Sequence, residues 1–285
     1  MRIQFDCNEC IFTQLIRMSR ELDEDPARRW EFFQDATSLF MKHCRTATPP
    51  ELAAHYFARY AELSGVADPY MEIKDRSTAI AVKLYNELAA QVDSFELRLK
   101  LAISGNMIDY GVNPDFDLAD AEKFIREAAE MPYDTAAAAD LERRINSAQR
   151  ILYILDNCGE AVFDRLLLET MKDKVTIAVR GGAIINDVTR REVAASGLAD
   201  FPLLDTGCAA PGVPLPLISA DFRQAMEESD LVIAKGQGNF ESLEEDFTAA
   251  PVYFLFRAKC PVIQKYTGSA PGSIQIIGRN LNLYR

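Results

Sequence analysis

The distribution of apolar residues divides the 285-residue chain into two parts. From about residue 150 onwards, apolar runs of strand length recur with helical patterns between several of them. These runs lie at 151–155, 175–179, 201–204, 231–234, 252–256 and 274–277. Such alternation is typical of a mostly parallel sheet with helices on both faces. We therefore expect a Rossmann-like α/β/α domain over residues 149–285.

The first part of the chain, residues 1–148, shows the spacing of amphipathic helices instead. Ile11 and Leu15, for example, would lie on one apolar face of a first helix. Pro26 and Pro49 mark the starts of later helices, because proline is well tolerated in a first turn. The fold class predicted for the whole chain is thus α/β, with a helical N-terminal region packed on the sheet.

Acidic and amide side chains lie beyond the ends of the first two predicted strands. Asp156 and Asn157 follow the first strand, and Asn186 and Asp187 follow the second. Residues past the carboxyl ends of parallel strands line the ligand-binding crevice of open sheets. Their oxygens are hard ligands suited to Mg²⁺ or Mn²⁺. Asp and Asn also cap helices and turns, however, so the spacing alone leaves both interpretations open.

A glycine-rich turn, Lys235 to Asn239, follows the fourth predicted strand and precedes a short helix. Backbone N–H groups at the start of a helix can bind a phosphate, and Lys235 would add a full positive charge. Tight turns need glycine for conformational reasons as well. The spacing matches neither a Walker loop nor a dinucleotide-binding fingerprint.

Cys7 and Cys10 form a CxxC motif at the start of the first predicted helix. They could provide half of a second metal site, completed by another thiol or by His43, or they could form a redox pair. Free cysteines are also common as small buried residues. His43 and His55 lie far along the chain from the strand-end residues, so a catalytic triad has little support.

The overall charge restricts the partners. A net charge of −12 and a pI of about 4.8 argue against a nucleic-acid partner.

No apolar run approaches the length of a membrane span, and the N-terminus lacks the apolar core of a signal peptide. The six cysteines then favour the reducing cytoplasm. We expect a cytoplasmic protein without a nucleic-acid or membrane partner.

Four blocks of the sequence, taken together, resemble one known family. They are LDNCGEAVFDRLLLETM, RGGAIINDVT, DLVIAKGQGNFESL and LFRAKCPVI. This pattern is similar to that of the damage-control phosphatases, formerly a domain of unknown function and also described as acidic-residue methyltransferase-like metal-binding proteins. The CNEC and SGNMIDYG segments extend the resemblance, and the CxxC motif resembles the prokaryotic branch.

The resemblance implies a metal-dependent phosphatase that hydrolyses phosphomonoesters of small metabolites, such as sugar phosphates or damaged cofactor intermediates. The implied metal ligands are Asp156, Asn157 and Asp187. Mg²⁺ or Mn²⁺ is the expected ion, with Co²⁺ and Ni²⁺ as further candidates. Lys235 and Asn239 match the KG-x-x-N block of the family.

We therefore expect Asp156, Asp187 and Lys235 to be catalytic, and Asn106, Gly236 and Asn239 to contact the substrate, a phosphorylated small molecule. The attacking nucleophile is either a water activated by the metal or one of the two aspartates.

Two other functions stay open at this point. One is an S-adenosylmethionine-dependent carboxyl methyltransferase, although no glycine-rich nucleotide turn follows the first strand. The other is a non-enzymatic, thiol-based metal carrier or sensor, in which Cys7 and Cys10 would bind a soft metal.

Overall fold

The computed structural model describes residues 1–22, 24–105, 123 and 126–283. The helices are Cys7–Leu22 (α1), Pro26–His43 (α2), Pro49–Ser64 (α3), Met71–Leu88 (α4), Phe95–Ser104 (α5), Thr135–Ser147 (α6), Cys158–Leu168 (α7), Ala220–Glu228 (α8), Gln237–Leu243 (α9) and Pro261–Thr267 (α10). The strands are Ile151–Ile154 (β1), Val175–Val179 (β2), Leu203–Asp205 (β3), Leu231–Lys235 (β4), Val252–Arg257 (β5) and Ile274–Arg279 (β6). Within the described ranges, no helix is long and apolar enough to cross a membrane.

The strands form one sheet in the order β3-β2-β1-β4-β5-β6. All neighbouring strands are parallel except β5 and β6, which are antiparallel. Ile154 at the end of β1 is paired with Ala178 of β2 on one side and Ala234 of β4 on the other. The strand order reverses between β1 and β4, which creates the switch point of a doubly wound sheet. The predicted mostly parallel α/β fold is confirmed.

Alternate strand residues serve two different hydrophobic cores, which explains why the strands read as unbroken apolar runs. Tyr153 and Ile233 face a core that also contains residues of α5, α6 and α7. Leu152 and Val232 face the opposite core, which contains residues of α8, α9 and α10. The result is the expected three-layer α/β/α arrangement.

The N-terminal helices are joined to this sandwich in two ways. Helices α1 to α3 share a cluster that includes Ile184, from the segment that follows β2. Helix α4 packs on α7, and α5 and α6 contribute directly to the core of the sheet. Because residues on both sides of position 148 share one core, the division into domains 1–148 and 149–285 stays a prediction.

Local polar signals fix where several of these helices begin. Asp25 accepts a hydrogen bond from the backbone N–H of Ala27 at 2.9 Å, and Pro26 occupies the first turn of α2. Thr48 caps α3 by accepting from the N–H of Glu51 at 3.3 Å. Capping residues satisfy backbone donors that the helix itself leaves unpaired, so helix starts could be predicted closely.

Candidate active site

Three neighbouring strands bring the main polar residues to one edge of the sheet. Asp156 lies just past β1, Arg180 follows β2 directly, and Lys235 is the last residue of β4. Because β2, β1 and β4 are parallel neighbours, their carboxyl ends meet at the switch point. The predicted strand-end cluster therefore exists and lies in the expected crevice.

The segment after β2 returns to β1 and places Asp187 beside Asn157, with which it forms an isolated antiparallel bridge. The N–H of Val188 donates to the carbonyl of Asp156, and the N–H of Cys158 donates to that of Asn186, each at 2.9 Å. These backbone bonds fix Asp187 relative to the end of β1. Sequence spacing could suggest this proximity but could not determine it.

Arg180 joins the two aspartates. Its Nε donates to Oδ2 of Asp187 at 2.6 Å, and one terminal nitrogen donates to Oδ1 of Asp156 at 3.2 Å. The other terminal nitrogen donates to Oδ1 of Asn239 at 2.9 Å. The guanidinium is almost fully buried, and its planar fork holds these three side chains in fixed relative positions.

Asn157 is oriented by carboxylates on two sides. Its amide nitrogen donates to Oδ2 of Asp156 at 3.0 Å and to Oε2 of Glu160 at 3.4 Å. With the nitrogen held by these acceptors, the amide oxygen is directed elsewhere and keeps its lone pairs for a cation. This is the orientation that the predicted metal-ligand role requires.

Lys235 is placed differently from its expected role as a phosphate contact. The side chain is fully buried, and Nζ donates to Oε1 of Glu160 at 2.5 Å and to Oδ1 of Asp164 at 2.6 Å. A third bond, at 2.9 Å, goes to the carbonyl of Ala102. An ammonium group has three donors, and all three are used here. In this arrangement Lys235 supports two acidic side chains, so the structure does not favour direct contact with substrate.

Asn239 and Gly236, the other residues of this turn, also face the interior. The amide nitrogen of Asn239 donates to the carbonyl of Lys235 at 2.5 Å, while its oxygen accepts from Arg180. Gly236 has a φ of +80°, and a Cβ at this position would lie 2.0 Å from Oδ2 of Asp156. Only glycine allows the backbone to approach this carboxylate so closely.

Burial makes the two central carboxylates hard to ionise. It raises the pKa of Asp156 well above its usual range, and the nearby charges of Asp187 and Glu160 raise this pKa further. Burial also raises the pKa of Asp187, although the charge and hydrogen bond of Arg180 oppose that shift. A group that compensates negative charge would favour the ionised form of both.

Asp164, the buried carboxylate that contacts Lys235, behaves differently from Asp156 and Asp187. Burial raises the pKa of Asp164 to about 6 against the opposing charge of Lys235, so Asp164 is ionised at neutral pH. Burial alone would lower the pKa of Lys235, but Asp164 and Glu160 outweigh that effect and the ammonium stays charged. The hydroxyl of Tyr153 donates to Oδ1 of Asp164 at 2.8 Å and completes this part of the network.

The contacts described above link more acids than bases. Four buried carboxylates share one network with two buried cations, which leaves an excess of two negative charges when all six groups are ionised. The carboxylates are Asp156, Glu160, Asp164 and Asp187, and the cations are Arg180 and Lys235. Buried charge of this kind requires a partner. One divalent cation bound by oxygen ligands would supply the missing charge, so the donor set fits the expected metal.

Three important residues were not identified from the sequence. They are Arg180, Glu160 and Asp164, which stand in the blocks that carry the family resemblance but were given no role in the site. A signal was present, because Glu160 and Asp164 are four residues apart on α7 and therefore lie on the same helical face. Two acids on one face of a mostly apolar helix predict a buried cationic partner, which here is Lys235.

The remaining predicted residues lie elsewhere or outside the described ranges. Asn106 lies outside the described residues; Gly105, which precedes it, packs so closely that a Cβ there would be 3.1 Å from the Cα of Glu160. Cys7 and Cys10 are free thiols at the start of α1. Burial raises the pKa of both, and the charge of Cys260 adds to the shift, which disfavours reactive thiolates at neutral pH.

Comparison with known proteins identifies the family. The family model described as damage-control phosphatase ARMT1-like domain matches residues 3–274. A damage-control phosphatase from Pyrococcus horikoshii is 33% identical over 272 residues, covering 93% of this chain and 94% of that protein. A damage-control phosphatase from Archaeoglobus fulgidus is 33% identical over 236 residues, covering 78% of this chain and 80% of that protein.

The fold has a solved counterpart. The crystal structure of a DUF89 family protein from Pyrococcus horikoshii matches this structure with a TM-score of 0.87 and 32% sequence identity, covering 98% of this chain and 99% of that one. Family model, relatives and structure agree along almost the whole chain. The chain therefore belongs to the damage-control phosphatase ARMT1-like family.

Proposed function

We propose that this protein hydrolyses phosphomonoesters of small metabolites with a divalent ion bound by Asp156, Asn157 and Asp187. The expected class of enzyme, a phosphatase, is confirmed by the family and by the names of its relatives. The observation that carries the assignment of the site is the excess of two carboxylates over cations in the buried network formed by the described residues. An oxygen-lined site with that excess suits Mg²⁺ or Mn²⁺.

When bound, such an ion would neutralise negative charge that develops on the phosphoryl oxygens. The protein's own contribution is to hold the ligands in place. Arg180 fixes the separation of Asp156 and Asp187, and Asn239 fixes Arg180. Lys235 acts one layer further away, because it holds the side chain of Glu160, which in turn orients Asn157. We assign Lys235 and Asn239 as positioning residues.

The attacking group would come from the same carboxylates or from water. An oxygen of Asp156 or Asp187 that is not bound to the ion can accept the proton of an attacking water. Alternatively, one of the two aspartates attacks phosphorus itself. Both proposals require an ionised carboxylate at the strand ends, where burial opposes ionisation and Arg180 favours it.

The substrate is proposed to be a sugar phosphate or a damaged phosphometabolite, and the site of action the cytoplasm. The relatives from Pyrococcus horikoshii and Archaeoglobus fulgidus are named damage-control phosphatases, which supports this substrate class. The N–H of Gly236 donates to the carbonyl of Leu255 at 3.0 Å, so the structure does not favour the predicted substrate contact of Gly236. The proposed phosphate contacts are the backbone N–H groups from Gln237 to Asn239, since the side chains of Lys235 and Asn239 are engaged internally.

The alternative functions gain no comparable support. After β1, where a nucleotide-binding methyltransferase would carry a glycine-rich turn, this chain places Asp156 and Asn157 in the buried acidic network. For a thiol-based carrier, the raised pKa values of Cys7 and Cys10 work against metal binding, because the thiolate is the ligand.

The experiment is a turnover assay on metal-stripped protein with p-nitrophenyl phosphate and a panel of sugar phosphates. Mg²⁺, Mn²⁺, Co²⁺ and Ni²⁺ are added in turn. We expect one or more metals to restore activity in the wild type but not in Asp187→Asn. Asp205→Asn is the matched control, because Asp205 ends β3 at the same edge of the sheet but pairs with Arg190 instead. Equal metal-dependent activity in wild type and Asp187→Asn would refute the assignment.

A further inference from the structure

Both histidines of the chain meet outside the buried network of strand-end carboxylates. His43 is the last residue of α2, and His55 lies in the second turn of α3. Their rings are stacked with centroids 5.0 Å apart and planes inclined by 24°. The sequence contains only these two histidines among 285 residues, so their convergence is notable on composition alone.

Glu51 completes the group. One ligand atom each from His43, Glu51 and His55 can be chosen so that all three lie within 4.8 Å of one another. Glu51 and His55 are four residues apart on α3, so they lie on the same face of the helix. His43 approaches that face from the end of α2. All three side chains are partly exposed, which leaves an ion access from solvent.

The backbone around the group is well fixed. The carbonyl of His43 accepts hydrogen bonds from the N–H groups of Thr46 and Ala47, at 3.0 and 2.9 Å. This turn joins α2 to α3, and Thr48 then caps α3. Beneath the histidines, α2 and α3 pack through a shared hydrophobic cluster. The three side chains therefore project from rigid elements, which favours a defined ligand geometry.

The donor set selects among metals. Two imidazole nitrogens and one carboxylate oxygen suit borderline ions such as Zn²⁺, Co²⁺ and Ni²⁺, whereas Mg²⁺ prefers oxygen ligands alone. Zn–N and Zn–O bonds of about 2.0–2.2 Å place two ligands of one ion at most about 4 Å apart. Small rotations of these partly exposed side chains bring atoms within 4.8 Å to that range.

We propose that His43, Glu51 and His55 form a binding site for a borderline divalent ion, with Zn²⁺ as the reference ion, that ties the end of α2 to the start of α3. Three protein ligands leave at least one coordination position for water. The site is separate from the strand-end carboxylates in both ligands and preferred metal. It does not depend on the phosphatase assignment.

The experiment detects zinc binding directly through the NMR signals of the two histidines. Untagged protein is kept in excess Mg²⁺, which occupies oxygen-only sites, and the two imidazole signals are followed by NMR during a Zn²⁺ titration. The titration is repeated in the double variant Cys7→Ser/Cys10→Ser, so that the thiols of the CxxC motif do not compete for zinc. We expect both histidine signals to shift together and to reach their end point near one equivalent in the double variant.

Three further variants locate the ion. Glu51→Gln removes one ligand and is expected to weaken Zn²⁺ binding by at least about tenfold. Glu62→Gln, an exposed glutamate on the same helix, is the matched control and should bind like the wild type. Asp187→Asn should also leave the histidine response unchanged, which separates this site from the phosphatase centre.

Two outcomes would overturn the proposal. The first is that the histidine signals stay in place at one equivalent and move only with large excess zinc, as they would for an adventitious ion only. The second is that Glu51→Gln and Glu62→Gln respond alike. Because the primary titration uses chains with all three ligands intact, a folding defect in Glu51→Gln cannot produce the first of these results.

Discussion

Replacing Lys235 by methionine distinguishes two roles for this residue. If Lys235 contacts the substrate phosphate, its removal should weaken substrate binding and leave the folded protein nearly unchanged. If it compensates buried acids, as the structure indicates, its removal should destabilise the fold. Methionine keeps a flexible unbranched side chain of similar length, so that lost charge dominates over lost packing.

The size of the expected loss of stability follows from the contacts of the Lys235 ammonium group. Its two acidic partners, Glu160 and Asp164, are almost completely buried, at 1% and 0% exposure of their side chains. Removing one partner of a buried ion pair costs about 3–5 kcal/mol, because the remaining charge is left uncompensated. At roughly 2–4 °C per kcal/mol for a chain of this size, the melting temperature should fall by about 6–20 °C.

The pH dependence of the stability of Lys235→Met provides a second, independent test of this prediction. Without the ammonium, Asp164 loses the charge that opposes the effect of burial, so its pKa in the folded state rises further. Protonation then removes the unfavourable charge. The destabilisation of Lys235→Met should therefore be smaller at about pH 5 than at about pH 8.

The assay is thermal unfolding of metal-stripped protein, followed by circular dichroism at both pH values. Lys83→Met, an exposed lysine on α4, is the matched control and should melt like the wild type. Adding Asp164→Asn to Lys235→Met should recover part of the loss, since one uncompensated charge is removed. A melting temperature unchanged in Lys235→Met, together with a raised KM for substrate, would refute the compensating role and restore the phosphate contact.

Three further variants test neighbouring parts of the account. Arg180→Lys keeps the charge but loses the planar fork, and kcat at saturating metal should fall by roughly 100-fold. Gly236→Ala forces a Cβ towards Asp156 and an unfavourable backbone conformation; urea unfolding should show a loss of at least about 1–3 kcal/mol. Burial raises the pKa of Glu241 to about 7, so the stability that this group contributes at low pH is lost as the pH rises through 7. Between about pH 5 and pH 8 the wild type should lose about 2–3 kcal/mol that Glu241→Gln does not lose.

Each of these three predictions has its own contrary result. Unchanged kcat in Arg180→Lys would show that the geometry of the guanidinium does not matter. Wild-type stability in Gly236→Ala would contradict the close approach to Asp156. Identical pH profiles for wild type and Glu241→Gln would show that this carboxyl does not remain protonated in the folded state.

The sheet could be predicted well because its strands are buried on both faces. Runs such as 175–179 and 231–234 do not alternate between apolar and polar residues, so they are easily recognised as buried strands. The first ends at the predicted residue in the structure, and the second is one residue longer than predicted. The predicted helix starts at Pro26 and Pro49 also agree, because a capping side chain and a proline are local features. Local signals and continuous burial are both visible in a sequence.

The location of the proposed metal ligands was predictable only in part. Asp156 and Asn157 follow the end of β1, and strand ends in a parallel sheet converge. Asp187 lies well beyond the end of β2, and its placement depends on backbone bonds that the spacing only suggested. The structure brings these side chains together. Their binding of a metal remains a prediction, and the buried acidic network is the physical argument for it.

Pairing between distant elements was the part that spacing could not provide. Lys235 and Asp164 are 71 residues apart, and their contact depends on how α7 lies on the sheet. The same holds for Arg180, whose partners come from three separate segments. From the sequence, Lys235 in its glycine-rich turn was therefore predicted to contact phosphate. In the folded protein, its side chain instead contacts the buried carboxylates of Glu160 and Asp164.

The most direct test of the central claim is the location of bound metal in crystals of the active protein. Crystals grown with Mn²⁺ and inorganic phosphate would be measured on both sides of the manganese absorption edge. We predict an anomalous peak bounded by Asp156, Asn157 and Asp187, with phosphate density beside it. An enzyme that needs Mn²⁺ for turnover, but whose peak lies away from these three side chains, would contradict the account.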